Sequence, residues 1–302
     1  MQRDDCRGHA GGDGRARGAA RRALGLLAVA AAALAAGCGL ESGIGRVTAT
    51  SSVSEQAAGR AAAPPDLAAQ AVAVQRFVRN GQPIHCGGGR SRLVALTFDD
   101  GPGRYTNAML RELRKAGAGA TFFLVGHAIN RYPALPGRER AVGAIGSHTM
   151  THPNLSDVSR AKARREIAGG RAAAQKTSGG PIDLFRPPYG ARTPAIDREV
   201  RRQGMAQILW DVNSSDSRRS PPVNAREIAD RVLRHVRPGS IVLMHEDRRQ
   251  TVRALRAILP ALAQRGLRAV TVPELLAADP PSRGQLNAGA RGCAVGFASR
   301  RR

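Results

Sequence analysis

Aromatic side chains are scarce in this sequence, at 3% of its 302 residues. That scarcity excludes the interleaved aromatic and basic platform on which single-stranded nucleic acids stack. Lysine is rarer still: of 47 basic residues only three are Lys and 44 are Arg, spread along the whole chain. The formal net charge of +24 therefore reads as a background bias toward Arg, and nucleic acid is not an expected partner. A basic surface does attract anionic polymers and lipid headgroups. The apolar run from Ala23 to Ala36 falls short of the ~20 residues that a spanning helix needs. Cysteine is limited to four positions, Cys6, Cys38, Cys86 and Cys293.

What is present begins with an address. Arg15, Arg17, Arg21 and Arg22 precede the short apolar run, the pattern of a signal peptide. The run ends Leu34-Ala35-Ala36-Gly37-Cys38. Small residues directly before a Cys resemble the lipobox of bacterial lipoproteins, which implies lipidation of Cys38 and a membrane as partner. Plain cleavage after an Ala-x-Ala-like site and twin-Arg export through Arg21-Arg22 are the alternatives. Either way the protein is expected outside the cytoplasm, as a membrane lipoprotein or a secreted protein. Four segments follow: a leader over 1–38, a flexible linker over 39–85, a catalytic domain over 86–278 and a loose tail over 279–302. The linker is rich in Ala, Ser and Gly, carries Pro64-Pro65 and has room for a short helix around Leu67–Val78. Outside the cytoplasm Cys86 and Cys293 can bridge the two ends of the domain, or stand as two free thiols.

From Leu93 onward, strand and helix alternate about seven times. Leu93–Thr97, Ala120–Val125, Ala144–Gly146, Asp183–Arg186, Ala206–Val212, Ser240–Met244 and Leu267–Val272 read as strands. Thr106–Lys115, a segment capped by Ser156 or Asp157 and running to Lys176, Pro194–Gln203, a segment from Asn224 to Val236, Thr251–Arg265 and Pro273–Ala277 read as helices. Such alternation implies a parallel sheet, closed or nearly closed as a barrel.

Chemistry-bearing residues gather where these strands end. The first strand runs into Asp99-Asp100-Gly101-Pro102. Two adjacent carboxylates repel, and folding tolerates them best with something positive beside them, an Arg or a metal. Asp-Gly-Pro is also ordinary turn chemistry. The third strand ends at His148-Thr149-Met150-Thr151-His152. Two His at that spacing can meet one metal if the segment turns like a helix. Arg186-Pro187-Pro188-Tyr189-Gly190 supplies an Arg that can hold a carboxylate. His245, with Asp216 on the neighbouring strand end, resembles an oriented acid/base His.

In this order, Thr97-Phe98-Asp99-Asp100-Gly101-Pro102, His148-Thr149-x-x-His152, Arg186-Pro187-Pro188-Tyr189-Gly190 and Leu243-x-His245 resemble the polysaccharide deacetylases of carbohydrate esterase family four, the NodB-homology domain. The likeness spans roughly residues 93–276. It implies an α/β fold, a distorted (β/α) barrel of about seven repeats, and removal of acetyl groups from a glycan, peptidoglycan or chitin-like. It further implies Asp100, His148 and His152 as ligands of a divalent metal, most often zinc and in some members cobalt. Asp99 would be the general base and Arg186 the residue orienting it. The backbone N–H of Tyr189 would be an oxyanion donor, His245 the general acid and Asp216 its partner. An O-acetyl (xylan) esterase of the same fold and a catalytically silent glycan-binding lipoprotein are the alternatives. Three positions depart from the family pattern: Ser217 where a Trp usually walls the acetyl pocket, Asn213 where Asp is frequent, and Glu246 where Asp is frequent. A monomer is expected.

Overall fold

Val94-Ala95-Leu96-Thr97-Phe98 has no polar-out alternation, so it can only form a strand covered on both faces. The computed structural model, which describes residues 66–293, places it inside an all-parallel sheet. The elements in chain order are α1 (Leu67–Asn80), β1 (Leu93–Gly101), α2 (Thr106–Lys115), β2 (Ala120–Leu124), α3 (Gly126–Arg131), α4 (Leu135–Arg140), β3 (Gly143–Ser147), α5 (Arg160–Ser178), β4 (Leu184–Phe185) and α6 (Pro194–Arg202). There follow β5 (Ala206–Gln207), β6 (Val212–Asn213), α7 (Ala225–His235), β7 (Ile241–His245), α8 (Arg249–Gln264), β8 (Arg268–Val270), α9 (Val272–Ala278) and α10 (Arg283–Ala288).

The strand order is β5-β4-β3-β2-β1-β7-β6, with β8 against the start of β1. The sheet curls, and a single segment joins its two edges. Ala206–Gln207 pairs with β4, whereas Val212–Asn213 pairs with β7. The expected strand Ala206–Val212 is therefore two short strands on opposite edges. Asp211 fixes the second of these, its carboxylate accepting from the Ile241 N–H at 2.8 Å and from Ser240 Oγ at 3.1 Å. The result is the expected distorted (β/α) barrel.

Alternation along the strands divides the core in two. Val94, Leu96, Phe98, Phe122, Val242 and Met244 face outward and bury the apolar stripes of α2, α5, α7 and α8. Leu93, Ala95, Phe123, Leu184, Ile208 and Ile241 face inward. The interior is filled rather than hollow, and Val74, Phe77 and Val78 of α1 join it. Burying an aliphatic or aromatic side chain contributes roughly 1.5–3 kcal/mol, so α1 is part of the folded body. The expected linker thus stops short of residue 85. The Asp66 side chain caps α1 through the N–H groups of Ala68 and Ala69, and Gly81 ends it at φ +72°. The short helix expected around Leu67–Val78 is thus present, as Leu67–Asn80.

The far end is also ordered. Asp279 is buried and accepts from the backbone of Arg90 and Ser91, each at 2.7 Å, and from Ser91 Oγ at 2.9 Å. Residues 283–288 form α10, opened by a Ser282–Gln285 capping box. Cys86 and Cys293 are joined in a disulfide. The tail expected to be loose is thus packed as far as Cys293. The leader, Cys38 and most of the linker lie outside the described residues. Among the described residues no helix is long and apolar enough to cross a membrane.

Candidate active site

Every site residue named from the sequence lies at or just beyond the C-terminal end of a strand, where a parallel barrel opens its loops. Register aligns them. Asp99 of β1 is level with His245 of β7, and Ser147 of β3 with Phe185 of β4. The peptide bonds here take unusual conformations. Asp100, Thr149, His152, Tyr189 and Ser215 all have positive φ, between +58° and +69°. They are the only non-glycine residues with this conformation among the described residues. Such residues cost energy and collect where function over-determines the backbone. Nothing in Asp, Thr, His or Tyr as residue types announces it.

The two carboxylates of β1 separate. Asp99 is buried and accepts at Oδ1 from Arg186 Nη1, 2.8 Å away. Arg186 is wholly buried, and each of its nitrogens is used. Nη1 also donates to Thr97 Oγ1 at 2.7 Å, Nε to the Ile208 carbonyl at 3.2 Å and Nη2 to the Leu209 carbonyl at 3.1 Å. Its guanidinium lies 4.2 Å from the Phe123 ring centroid. Burial lowers its pKa, and the ion pair with Asp99 opposes that shift. Thr97, the first residue of the Thr97–Pro102 motif, completes this arrangement by donating to the Val242 carbonyl at 2.6 Å.

Asp100 faces the histidines. Its Oδ1 is 3.1 Å from His152 Nε2 and 3.7 Å from His148 Nε2. Burial opposes its charge, but the imidazoles around it, His152 foremost, prevail and hold the carboxyl below the usual carboxylate range. His148 Nδ1 lies 2.7 Å from the Arg186 carbonyl, so Nδ1 carries the proton and Nε2 turns its lone pair to the site. Burial keeps this imidazole below the ordinary histidine range, against the pull of Asp99 and Asp100.

The segment between the histidines is not the helical turn the spacing suggested. It is a loop with left-handed residues at Thr149 and His152. Glu166 of α5 holds it, accepting from the N–H groups of Met150 at 3.1 Å and Thr151 at 2.8 Å and from Thr151 Oγ1 at 2.7 Å. Gly170, one turn later, lets α5 approach: a Cβ there would overlap the Thr149 carbonyl. α5 itself begins after Ser159, not at Ser156 or Asp157, because Leu155–Asp157 closes a separate 3₁₀ turn under the Asn154 side chain.

On the opposite flank, Asp216 binds His245 twice. Its Oδ1 is 2.6 Å from His245 Nδ1, and its Oδ2 accepts the His245 N–H at 2.7 Å. Thr251 Oγ1 donates to the same Oδ2 at 2.6 Å. Burial lowers the pKa of His245, but Asp216 outweighs burial and raises it to about 9. The imidazolium is thus the dominant form at neutral pH, with Nδ1 committed to Asp216 and Nε2 free to donate. Tyr189 stands at the rim, its ring 69% exposed and edge-on to His152 with centroids 4.9 Å apart. Ser217 is exposed beside Asp216.

A metal fits this site. One ligand atom each from Asp100, His148 and His152 lies within 4.8 Å of the others, and Asp100 Oδ1 is buried without a hydrogen bond of good geometry. A carboxylate oxygen and two imidazole nitrogens suit zinc and its neighbours, and three protein ligands leave positions open. The arrangement therefore offers a cation site flanked by an Arg-fixed carboxylate and an Asp-fixed imidazolium. That combination suits hydrolysis of an acyl group with a poor leaving group.

The sequence profile described as polysaccharide deacetylase matches residues 87–208. A peptidoglycan-N-acetylglucosamine deacetylase of Bacillus cereus is 38% identical over 190 residues, covering 61% of this chain and 88% of that protein. A chitooligosaccharide deacetylase of Azorhizobium caulinodans is 33% identical over 197 residues, covering 60% and 92%. Among solved structures, the Bc1960 peptidoglycan N-acetylglucosamine deacetylase is similar with a TM-score of 0.61 and 32% identity, over 66% of this chain and 95% of that one.

Proposed function

The chain belongs to the polysaccharide deacetylase family, carbohydrate esterase family 4, and on that premise we propose a zinc-dependent hydrolase acting on an N-acetylated glycan of the cell envelope. Peptidoglycan and chitin-like oligomers are the substrates after which its relatives are named. The observation that carries this reading is the convergence of three groups at one barrel mouth. These are the Asp100–His148–His152 cluster, the Arg186–Asp99 pair and the Asp216–His245 pair. The ion held by Asp100, His148 and His152 would supply Lewis-acid polarisation of the acetyl carbonyl and a water of lowered pKa.

The chain's own residues do the rest. Asp99, fixed by Arg186, accepts the proton of the attacking water. The backbone N–H of Tyr189, re-aimed by its positive φ, donates to the oxyanion. His245 gives its Nε2 proton to the departing sugar amine, which leaves badly without it, and Asp216 restrains the resulting ring. Cobalt could replace zinc on the same donors. The Cys86–Cys293 disulfide supports a life outside the reducing cytoplasm, with Cys38 as a lipid anchor or the leader simply removed. The protein acts as a monomer.

The deciding experiment is acetate release from N-acetylglucosamine oligomers, peptidoglycan and acetylated xylan, after chelation and after return of zinc or cobalt. Metal-restored release from the N-acetyl substrates is expected. Preference for xylan would favour an O-acetyl esterase. No metal-restored release from any of them would leave a silent glycan-binding protein.

A further inference from the structure

Glu246 follows His245, and strand alternation sends the two side chains to opposite faces of the sheet. His245 meets Asp216, whereas Glu246 turns outward to the helices. Its side chain is wholly buried and faces Glu139 of α4, which is wholly buried as well. Thr106 Oγ1, at the start of α2, donates to Glu246 Oε1. The Gly103 N–H donates to Thr106 Oγ1 at 2.8 Å, and the Glu246 N–H donates to the Asp99 carbonyl at 2.9 Å. Gly101 lies so close that a Cβ there would overlap the Glu246 carboxyl. Buried hydrogen bonds thus link the end of β7, the start of α2 and the loop that follows Asp99-Asp100, and Glu139 of α4 faces them.

Among the described residues no Lys or Arg faces either carboxyl, and the other charge near Glu246 is Asp247, also acidic. Both oxygens of Glu139 and Oε2 of Glu246 meet no N–H or O–H of another residue. Two buried carboxylates without a countercharge are not tolerated. A proton between them removes one charge and satisfies the orphaned oxygens in the same step.

We propose that Glu139 and Glu246 share a single proton and that this acid–carboxylate pair is a positioning device, clamping the Gly101–Tyr105 loop and thereby the left-handed turn at Asp100. It deepens the proposed function, but only its kinetic readout rests on that reading. Burial and Glu246 push Glu139 well above the ordinary carboxyl range, and burial pushes Glu246 up to about 7, so the proton belongs to the pair. A raised carboxyl pKa in the folded state favours folding fully below the unfolded value of about 4.3. That contribution is then lost as pH rises toward the folded value.

Three measurements test it. The infrared difference spectrum of wild type minus Glu139→Gln at pH 7 should contain one protonated-carboxyl band. Between about pH 5 and 7 the unfolding constant of wild type relative to Glu139→Gln should rise with pH, by up to tenfold per unit, the slope of one proton. Glu246→Leu should lower kcat by about tenfold to a hundredfold with little change in KM, and Glu246→Gln should recover most of it. A missing band with parallel stability curves would overturn the shared proton, as would a stoichiometric cation lost in Glu139→Gln. Equal kcat for Glu246→Leu and Glu246→Gln would overturn the positioning role. If Glu246→Leu does not fold, the band and the slope in the two Gln variants decide. Inactivity of wild type on every glycan would sink the proposed function and leave those two readouts intact.

Discussion

Asp99 and His245 occupy the same register on adjacent strands and are expected to fail differently when replaced. Asp99→Asn should keep the metal, since Asp100 faces the histidines and Asp99 faces Arg186. It should lower turnover by about 10²–10⁴ on every substrate. His245→Ala should cripple release of a sugar amine far more than hydrolysis of an aryl acetate, whose phenolate leaves without a proton. Rates on both substrates, with metal content checked, separate the two; equal losses for His245→Ala would remove it as leaving-group acid. The pH profile is a second check. A general acid must be protonated, so activity should fall as pH rises through about 9, the value to which Asp216 raises His245 against burial. Asp216→Asn should move that alkaline limb toward neutrality, and an unmoved limb would assign it to another group. The residues proposed for catalysis were legible in the sequence because each carries chemistry at a recognisable spacing. Glu166 and Thr251 were not, since a Glu or a Thr in a helix has no signature until its partner is placed.

At the scale of elements, most strands and helices were read from periodicity with small errors at their ends, the six-residue helices α3 and α4 around Pro133 and Pro136 were not, and the larger errors have physical causes. β5 and β6 look like one strand because Ala206–Val212 centres on the apolar run Ile208-Leu209-Trp210, yet its two ends pair with opposite edges of the sheet. The loop from His148 to His152 looks like a helical turn because two His at i and i+4 fit one. In fact its shape comes from α5, through Glu166 and the space left by Gly170. The loop therefore depends on a residue that touches no substrate. Glu166→Ala should leave the fold intact and weaken metal binding by about tenfold to a hundredfold, the usual effect of removing a support behind a ligand. Glu166→Gln, which still accepts, should lose less. Competitive titration of zinc against a chromophoric chelator measures both, and wild-type affinity in Glu166→Ala would show that the loop holds its shape without α5.

Across the described residues, the candidate site occupies one end of the barrel, and Cys86 and Cys293 are tied together at the other. Cys86 precedes β1 and bridges to Ser240 just before β7, so the disulfide to Cys293 sits where strands begin, not where they end. Asp279 binds Arg90 and Ser91 at that same end. The sequence offered two cysteines without their geometry; the tail packs because the Asp279 carboxylate accepts the N–H groups of Arg90 and Ser91 and the segment after α10 carries Cys293 back to Cys86. The bridge closes a loop with a sequence separation of 207, and restraint of so long a loop in the unfolded chain is the main source of its stabilisation. Cys86→Ser, or reduction of wild type, should cost about 2–5 kcal/mol of stability, measured by urea unfolding with and without reductant. Turnover well below the melting temperature should be unchanged, because no site residue contacts this end. If reduction lowered kcat or zinc affinity under conditions where the fold is intact, the two ends of the barrel would be coupled. The disulfide would then belong to the catalytic machinery rather than to the frame that carries it.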